Sequence, residues 1–132
     1  MAFTGRLLRT VVVSDNPEFV RAACASIENE PGLIVVATAE SGFATVIAVD
    51  VLRPDLVLID VAMRGMDCVE ATRRVKARLK PPAVVLITLH DPKEIAEKAR
   101  DAGADAVISK RELAESAECI LRALDARLEC LP

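Results

Sequence analysis

The sequence has no tryptophan and no tyrosine, and three phenylalanines make up its whole aromatic content of 2%. The core must therefore be aliphatic, and the aromatic stacking that binds single-stranded nucleic acid is excluded. No apolar run approaches the roughly 20 residues that cross a bilayer. Arg6 and Arg9 interrupt the apolar N-terminus, so no signal peptide is expected. There is no basic block and the net charge is −3, which argues against direct binding of nucleic acid.

Closely spaced cysteines are missing as well, because the four cysteines stand far apart with no CxxC pair. We interpret them as reduced thiols that serve as small hydrophobic residues in a cytoplasmic protein. The 132 residues fit one domain, and a hydrophobic content of 52% excludes intrinsic disorder. We therefore expect a single soluble domain over residues 1–132.

Apolar runs rich in β-branched residues recur along the chain, at 10–14, 33–38, 56–59, 83–88 and 106–109. Such runs are typical of strands buried on both faces of a parallel sheet. Helix signals separate them, among them the caps Asn16-Pro17, Ser41 and Asp91-Pro92, and the stop Gly103. We predict an α/β domain with a doubly wound five-stranded parallel sheet of order 2-1-3-4-5, covered by five helices.

Two of these helices carry specific expectations. The third is predicted over about 67–80, where two prolines stop it. The last is predicted as one continuous helix, because apolar residues recur on a single stripe of Leu113, Ala117, Ile120, Leu124 and Leu128.

Polar residues stand at the carboxyl ends of four predicted strands. Asp15 follows the first strand, Asp60 the third, Thr88 the fourth and Lys110 the fifth. Ligands of open parallel sheets collect at this edge, where the strand order reverses. With the first and third strands adjacent, Asp15 and Asp60 should face each other. The sequence therefore predicts an acidic site beside a lysine and a threonine hydroxyl.

Two close carboxylates repel each other unless a cation separates them. Mg²⁺ suits this pair, because it takes oxygen ligands, accepts one or two carboxylates and keeps several waters. Lys110 and Thr88 could then hold the oxygens of a phosphoryl group. Asp60 is the best-placed nucleophile, since its strand delivers it into the middle of the cluster. The set predicts phosphoryl transfer to a carboxylate.

The chain resembles the receiver domain of bacterial two-component response regulators over about residues 9–128. The likeness is carried by VVVSDNPEFVR, by PDLVLIDVAMRGMDCVEATRRV around Asp60, by VVLIT ending at Thr88 and by DAGADAVISK ending at Lys110. It implies a flavodoxin-like fold and phosphorylation of Asp60 by a sensor histidine kinase or a phosphotransfer protein. It also implies that the backbone carbonyl of Ala62 ligates Mg²⁺, and that the domain is no enzyme beyond assisting its own phosphorylation and dephosphorylation.

Several positions depart from the family pattern. Ser14 replaces the first of two acidic residues, and the resemblance implies that it acts on the metal only through water, which predicts weaker Mg²⁺ binding. Val107 replaces a switch aromatic, so activation is expected to run through Thr88 and the loop after it. Arg111 replaces a proline, which raises the question of whether the Lys110–Arg111 peptide bond is cis.

The resemblance also implies a partner surface and leaves alternatives open. Receivers dimerise or meet partners through the fourth helix, fifth strand and fifth helix, and the charged residues expected there are Lys98, Arg111, Glu112 and Glu115. One alternative is a degenerate receiver that acts by protein contact without phosphorylation. Another is the receiver fragment of a helix-turn-helix transcriptional regulator. A flavodoxin-like redox protein is disfavoured, because the sequence lacks a phosphate loop and flanking aromatics.

Overall fold

The computed structural model describes residues 7–63 and 67–129, with side chains described as far as Asp125. Its strands are β1 (Leu8–Val13), β2 (Leu33–Ala39), β3 (Leu56–Asp60), β4 (Ala83–Thr88) and β5 (Ala106–Ser109). Its helices are α1 (Pro17–Glu28), α2 (Gly42–Leu52), α3 (Cys68–Lys76), α4 (Ala96–Ala102), α5 (Lys110–Glu115) and α6 (Glu118–Glu129). A 3₁₀ turn at Pro92–Glu94 precedes α4.

The strands form one parallel sheet of order β2-β1-β3-β4-β5, which confirms the predicted doubly wound topology. β1 and β3 are neighbours, and Val13 aligns with Ile59. The residues that follow these two strands therefore emerge side by side at one edge of the sheet. This is the edge at which the sequence predicts the site.

Two hydrophobic clusters lie on opposite faces of the sheet, because successive strand residues point to opposite sides. Val12 belongs to the cluster under α1, α5 and α6, whereas Val11 and Val13 belong to the cluster under α2, α3 and α4. Leu, Ile, Val and Ala dominate both clusters. The aliphatic core expected from the scarcity of aromatic residues is thus confirmed.

Helix termini follow local side-chain chemistry. Asn16, Ser41 and Asp67 cap α1, α2 and α3, each by accepting a hydrogen bond from a backbone N–H of the first turn. Gly103 ends α4 with a φ of 98°, a left-handed conformation that glycine adopts without a Cβ clash. α3 ends at Lys76, four residues before the predicted stop, so the sequence overestimated its length.

The predicted single last helix is wrong, because the structure divides it into α5 and α6. Ser116 between them is extended, with φ −171° and ψ 131°, and its hydroxyl accepts a hydrogen bond from the backbone N–H of Glu118. Serine competes in this way with helical hydrogen bonds. Leu113, Ala117, Ile120 and Leu124 stay buried across the break, whereas the Leu128 side chain lies outside the described residues. The apolar stripe therefore continues across a position at which the helix is interrupted.

The start of α5 answers the question about Lys110 and Arg111. Residues 7–63 and 67–129 contain no cis peptide bond, so the bond between these residues is trans. Lys110 is the first residue of α5, and Ser109 and Glu112 form a capping box at the start of this helix. Within the same described residues, no helix has the length and apolarity needed to cross a membrane.

Candidate functional site

Asp60 is the last residue of β3, and only 1% of its surface is exposed. Its Oδ1 accepts a hydrogen bond from the Ala62 backbone N–H at 3.0 Å and lies 3.2 Å from Lys110 Nζ. Its Oδ2 accepts a hydrogen bond from the Ser14 hydroxyl at 2.7 Å. A buried carboxylate needs such donors, because desolvation otherwise makes burial of its charge very unfavourable. The carboxylate is therefore oriented by three elements of the fold.

Ser14 immediately follows β1 and forms hydrogen bonds both with neighbouring backbone groups and with the Asp60 carboxylate. Its backbone N–H donates to the Ala39 carbonyl at 3.0 Å, and its hydroxyl oxygen accepts from the Asn16 N–H at 3.0 Å. The resemblance implied that this side chain acts only through a water. The direct bond to Asp60 fixes the position of the carboxylate, and an action of Ser14 through a metal-bound water stays a prediction.

Lys110 enters the site from the first turn of α5. Its Nζ lies between Asp60 Oδ1 and the Phe19 ring of α1, 4.7 Å from the ring centroid. The ring face attracts a cation, so it helps to hold the ammonium above the cleft. Sequence reasoning missed Phe19, and only its place in the first turn of α1, close after Asp15, could have indicated it.

Asp15 and Ala62 complete an open cleft of about 460 Å³ around Asp60. Asn16, Pro17 and Lys110 line the remaining walls. Among the described residues no three acidic, histidine or cysteine side chains form a metal cluster. The Asp15 and Asp60 carboxylates of this cleft suit Mg²⁺, an ion that keeps several waters and needs few protein ligands. The Ala62 carbonyl as a further ligand stays a prediction.

Thr88 ends β4 at the same edge but does not line this cleft. It is buried, and its hydroxyl oxygen accepts a hydrogen bond from the His90 backbone N–H at 3.2 Å. Leu89 beside it is 70% exposed, and Val107 packs half-buried against the cluster under α2, α3 and α4. Of the predicted polar set, the structure thus brings Asp15, Asp60 and Lys110 into one cleft and leaves Thr88 bonded to its own loop.

The charged residues of the predicted partner surface are all exposed. Lys98 lies on α4, and Arg111, Glu112 and Glu115 lie on α5. Glu112 also has an internal role, because its carboxylate accepts hydrogen bonds from the Ser109 N–H and hydroxyl. It is therefore partly committed to the capping box.

The cysteines within the described residues are free thiols. Burial raises the pKa of Cys24 and Cys68, and it raises the pKa of Cys119 to about 11. Thiols of this kind are mostly protonated at neutral pH and are poor nucleophiles. This agrees with a packing role, while Cys130 lies outside the described residues.

The fold and the cleft together define a class: a flavodoxin-like α/β domain with an acid pair and a lysine at the carboxyl edge of its sheet. The family model of the response regulator receiver domain matches residues 10–121. The chain belongs to this family, which confirms the resemblance drawn from its motifs.

Relatives place the chain among two-component proteins of different kinds. It is 38% identical over 104 residues to protein-glutamate methylesterase/protein-glutamine glutaminase 4 of Myxococcus xanthus, covering 78% of this chain and 30% of that protein. It is 32% identical over 102 residues to the transcriptional regulatory protein PdtaR of Mycobacterium tuberculosis, covering 77% and 49%. The chain thus spans no more than about half the length of these curated relatives.

Solved structures agree with this assignment. A two-component response regulator of the LuxR family from Aurantimonas superposes with a TM-score of 0.77 at 28% identity, over 88% of this chain and 86% of that one. The response regulator domain of Thermotoga maritima CheB superposes with a TM-score of 0.79 over 96% of this chain and 100% of that one. At 22% identity the second likeness speaks for the fold alone.

Proposed function

We propose that the domain accepts a phosphoryl group on Asp60 from a phosphohistidine of a sensor kinase or phosphotransfer protein. The observation that carries this proposal is the Asp60 carboxylate, held by Ser14, Ala62 and Lys110 and lining an open cleft beside Asp15. The contacts orient the carboxylate, and the cleft admits a donor from solvent. A phosphorylation-independent receiver is the less favoured alternative, because the acid pair and the lysine are all present.

The transfer balances as a simple displacement at phosphorus. An Asp60 carboxylate oxygen forms a bond to phosphorus while the P–N bond of the donor breaks. The imidazole leaves with the electron pair of that bond and takes a proton from water. The product is an acyl phosphate, and later attack by water returns the carboxylate and inorganic phosphate.

The side chains around Asp60 have distinct roles in this step. Lys110 pairs with Asp60 at 3.2 Å and can also neutralise a phosphoryl oxygen bound beside it. Ser14 positions the carboxylate through Oδ2. Thr88 accepts from the His90 N–H, so its own O–H is the group that would donate to a phosphoryl oxygen. Because Val107 stands in place of an aromatic residue, we expect activation to run through Thr88 and the loop after β4.

Asp15, Asp60 and the Ala62 carbonyl are the groups that would hold Mg²⁺ in the cleft. When bound, the ion offsets negative charge on the phosphoryl oxygens. Ser14 contributes no charge, so we expect weaker Mg²⁺ binding than a third carboxylate would give. A role of Ser14 through a metal-bound water remains a proposal.

The output of the domain is proposed to be a change in partner or dimer affinity, with no catalysis beyond its own phosphorylation and dephosphorylation. The surface of α4, β5 and α5, with Lys98, Arg111, Glu112 and Glu115, is the proposed contact for a partner or a second copy. A cytoplasmic location and the absence of direct nucleic-acid binding by this segment belong to the same proposal.

Intact-mass spectrometry tests the proposal directly. The wild type is incubated with phosphoramidate, a P–N donor, in MgCl₂, and a phosphate-sized mass gain is expected that EDTA prevents. Asp60→Asn should show no gain. Asp101→Asn, a matched change at an exposed aspartate of α4, should behave like the wild type. An equal gain in Asp60→Asn, or none in the wild type, would refute the assignment.

A further inference from the structure

The outward face of α2 is unusually apolar for a helix at the surface. Phe43, Ile47 and Val51 lie four residues apart and are 65%, 63% and 73% exposed. The opposite side of the helix, with Thr45 and Val49, is buried against the sheet. A helix that is apolar on all sides is ordinarily covered on all sides. We call the stripe of Phe43, Ile47 and Val51 the outer face of α2.

Basic side chains from α3 and from the turn after it border the outer face of α2. The Arg74 guanidinium lies 5.7 Å from the centroid of the Phe43 ring. Arg78 donates two hydrogen bonds to the Asp50 carboxylate, at 3.0 and 3.1 Å. Asp50 is the only charged side chain of α2 itself. The border is thus formed by cations held in place by short contacts.

Positive charge is in excess around this face, although the chain as a whole carries −3. The nearby acids are Asp50, Asp55 and Glu70. The basic residues of α3 and of the turns after α2 and α3 outnumber them; they are Arg53, Arg73, Arg74, Lys76, Arg78 and Lys80. Asp50 and Glu70 pair with Arg73, Arg74 and Arg78, and the net charge of this surface nevertheless stays positive. A net positive border beside an apolar stripe points to a partner with negative charge at the border of its own apolar side.

A cavity at the C-terminal ends of α2 and α3 shares Asp50 and Arg78 with the border of the stripe, although Phe43, Ile47 and Val51 do not line it. This cavity has a volume of about 780 Å³ and is lined in part by Val49, Leu79 and Pro81. Leu79 is 93% exposed, so it offers a further uncovered apolar side chain. Uncovered apolar side chains therefore stand both on α2 and in the turn after α3.

We propose that the outer face of α2 binds an amphipathic helix of another protein, whose apolar side is bordered by acidic residues. Apolar residues spaced at i, i+3 or i+4, and i+7 would pack on Ile47 and Val51, and the acids would face Arg74 and Arg78. A second copy of this chain fits less well, because a twofold contact sets the basic border against itself. A head-to-tail contact with α5 offers no net negative charge, because α5 carries two basic and two acidic residues, and such contacts give rings or open filaments.

Fluorescence anisotropy with three synthetic 18-residue helical peptides tests this proposal. The peptides share one leucine stripe and differ only in its flanking residues, which are glutamate, lysine or glutamine. The glutamate peptide is expected to bind the wild type at least tenfold more tightly than the lysine peptide, and more weakly as salt rises. The double change Ile47→Gln/Val51→Gln should weaken binding roughly tenfold or more. Leu89→Gln, at another exposed apolar residue, should leave binding unchanged.

Several results would overturn the proposal. The proposal fails if the glutamate peptide does not bind, if the three peptides bind equally, or if the double change does not weaken binding. Sedimentation showing a wild-type dimer that the double change disrupts would assign the face to self-association. Flotation with phosphatidylglycerol vesicles that depends on the same residues would assign it to a lipid surface. Because Ile47 and Val51 are exposed, the double variant should fold, and its circular dichroism verifies this.

Discussion

Replacing Ser14 with aspartate should make the stability of the domain depend on Mg²⁺. The Ser14 hydroxyl lies 2.7 Å from Asp60 Oδ2, and both residues are buried. A carboxylate in place of the hydroxyl would face Asp60 at about 4 Å, where two like charges repel by about 4 kcal/mol at an effective dielectric constant of about 20. Lys110 offsets part of this repulsion. We expect a loss of about 2 to 3 kcal/mol in the free energy of unfolding without Mg²⁺.

Mg²⁺ should restore most of this loss, because the added carboxylate becomes a ligand. A ligand that binds only the folded state contributes about 2.7 kcal/mol at 100 times its Kd. The assay is urea denaturation followed by circular dichroism, first in EDTA and then across a MgCl₂ titration. The wild type, with one negative charge fewer, should need more MgCl₂ for the same gain. Ser116→Asp provides the matched control, since it adds the same charge at an exposed serine between α5 and α6.

Two results would refute this reasoning. One is a loss of stability in Ser14→Asp that is the same in EDTA and in saturating MgCl₂. The other is an equal Mg²⁺ dependence in Ser116→Asp, which would show that the ion acts through general charge and not at the cleft.

Asp105→Ala should lower the free energy of unfolding by about 2 to 4 kcal/mol in urea denaturation. The change removes the ion-pair partner of Lys76 and the acceptor of the Val84 N–H, and a loss under about 1 kcal/mol would contradict this. Asn16→Ala should cost about 1 kcal/mol in the same assay through loss of the α1 cap, and an unchanged midpoint would argue against the cap. The raised pKa of Cys119 predicts a free energy of unfolding that decreases between pH 9 and about pH 11, because the thiol ionises first in the unfolded chain. Below pH 9 the Cys119 thiol is protonated in both states and causes no loss. Cys119→Ala should flatten this alkaline decline under reducing conditions, and an equally steep decline would contradict the assignment.

The sequence by itself determined the positions of most strands and helix caps, because these depend on short-range chemistry. The apolar runs at 83–88 and 106–109 coincide with β4 and β5, and Asn16, Ser41 and Gly103 act where their local conformational preferences place them. That Asp15 and Asp60 line one cleft could also be predicted, since it follows from the adjacency of β1 and β3.

Only the tertiary structure decided which side chains touch. The bond from Ser14 to Asp60 joins residues 46 positions apart, and the contact of Lys110 with Phe19 brings α5 against α1. The break at Ser116 was hidden because the buried stripe continues across it. Periodicity reports which face of an element is apolar, but a contact depends on distances between elements that are remote in sequence, and those distances exist only once the layers have packed.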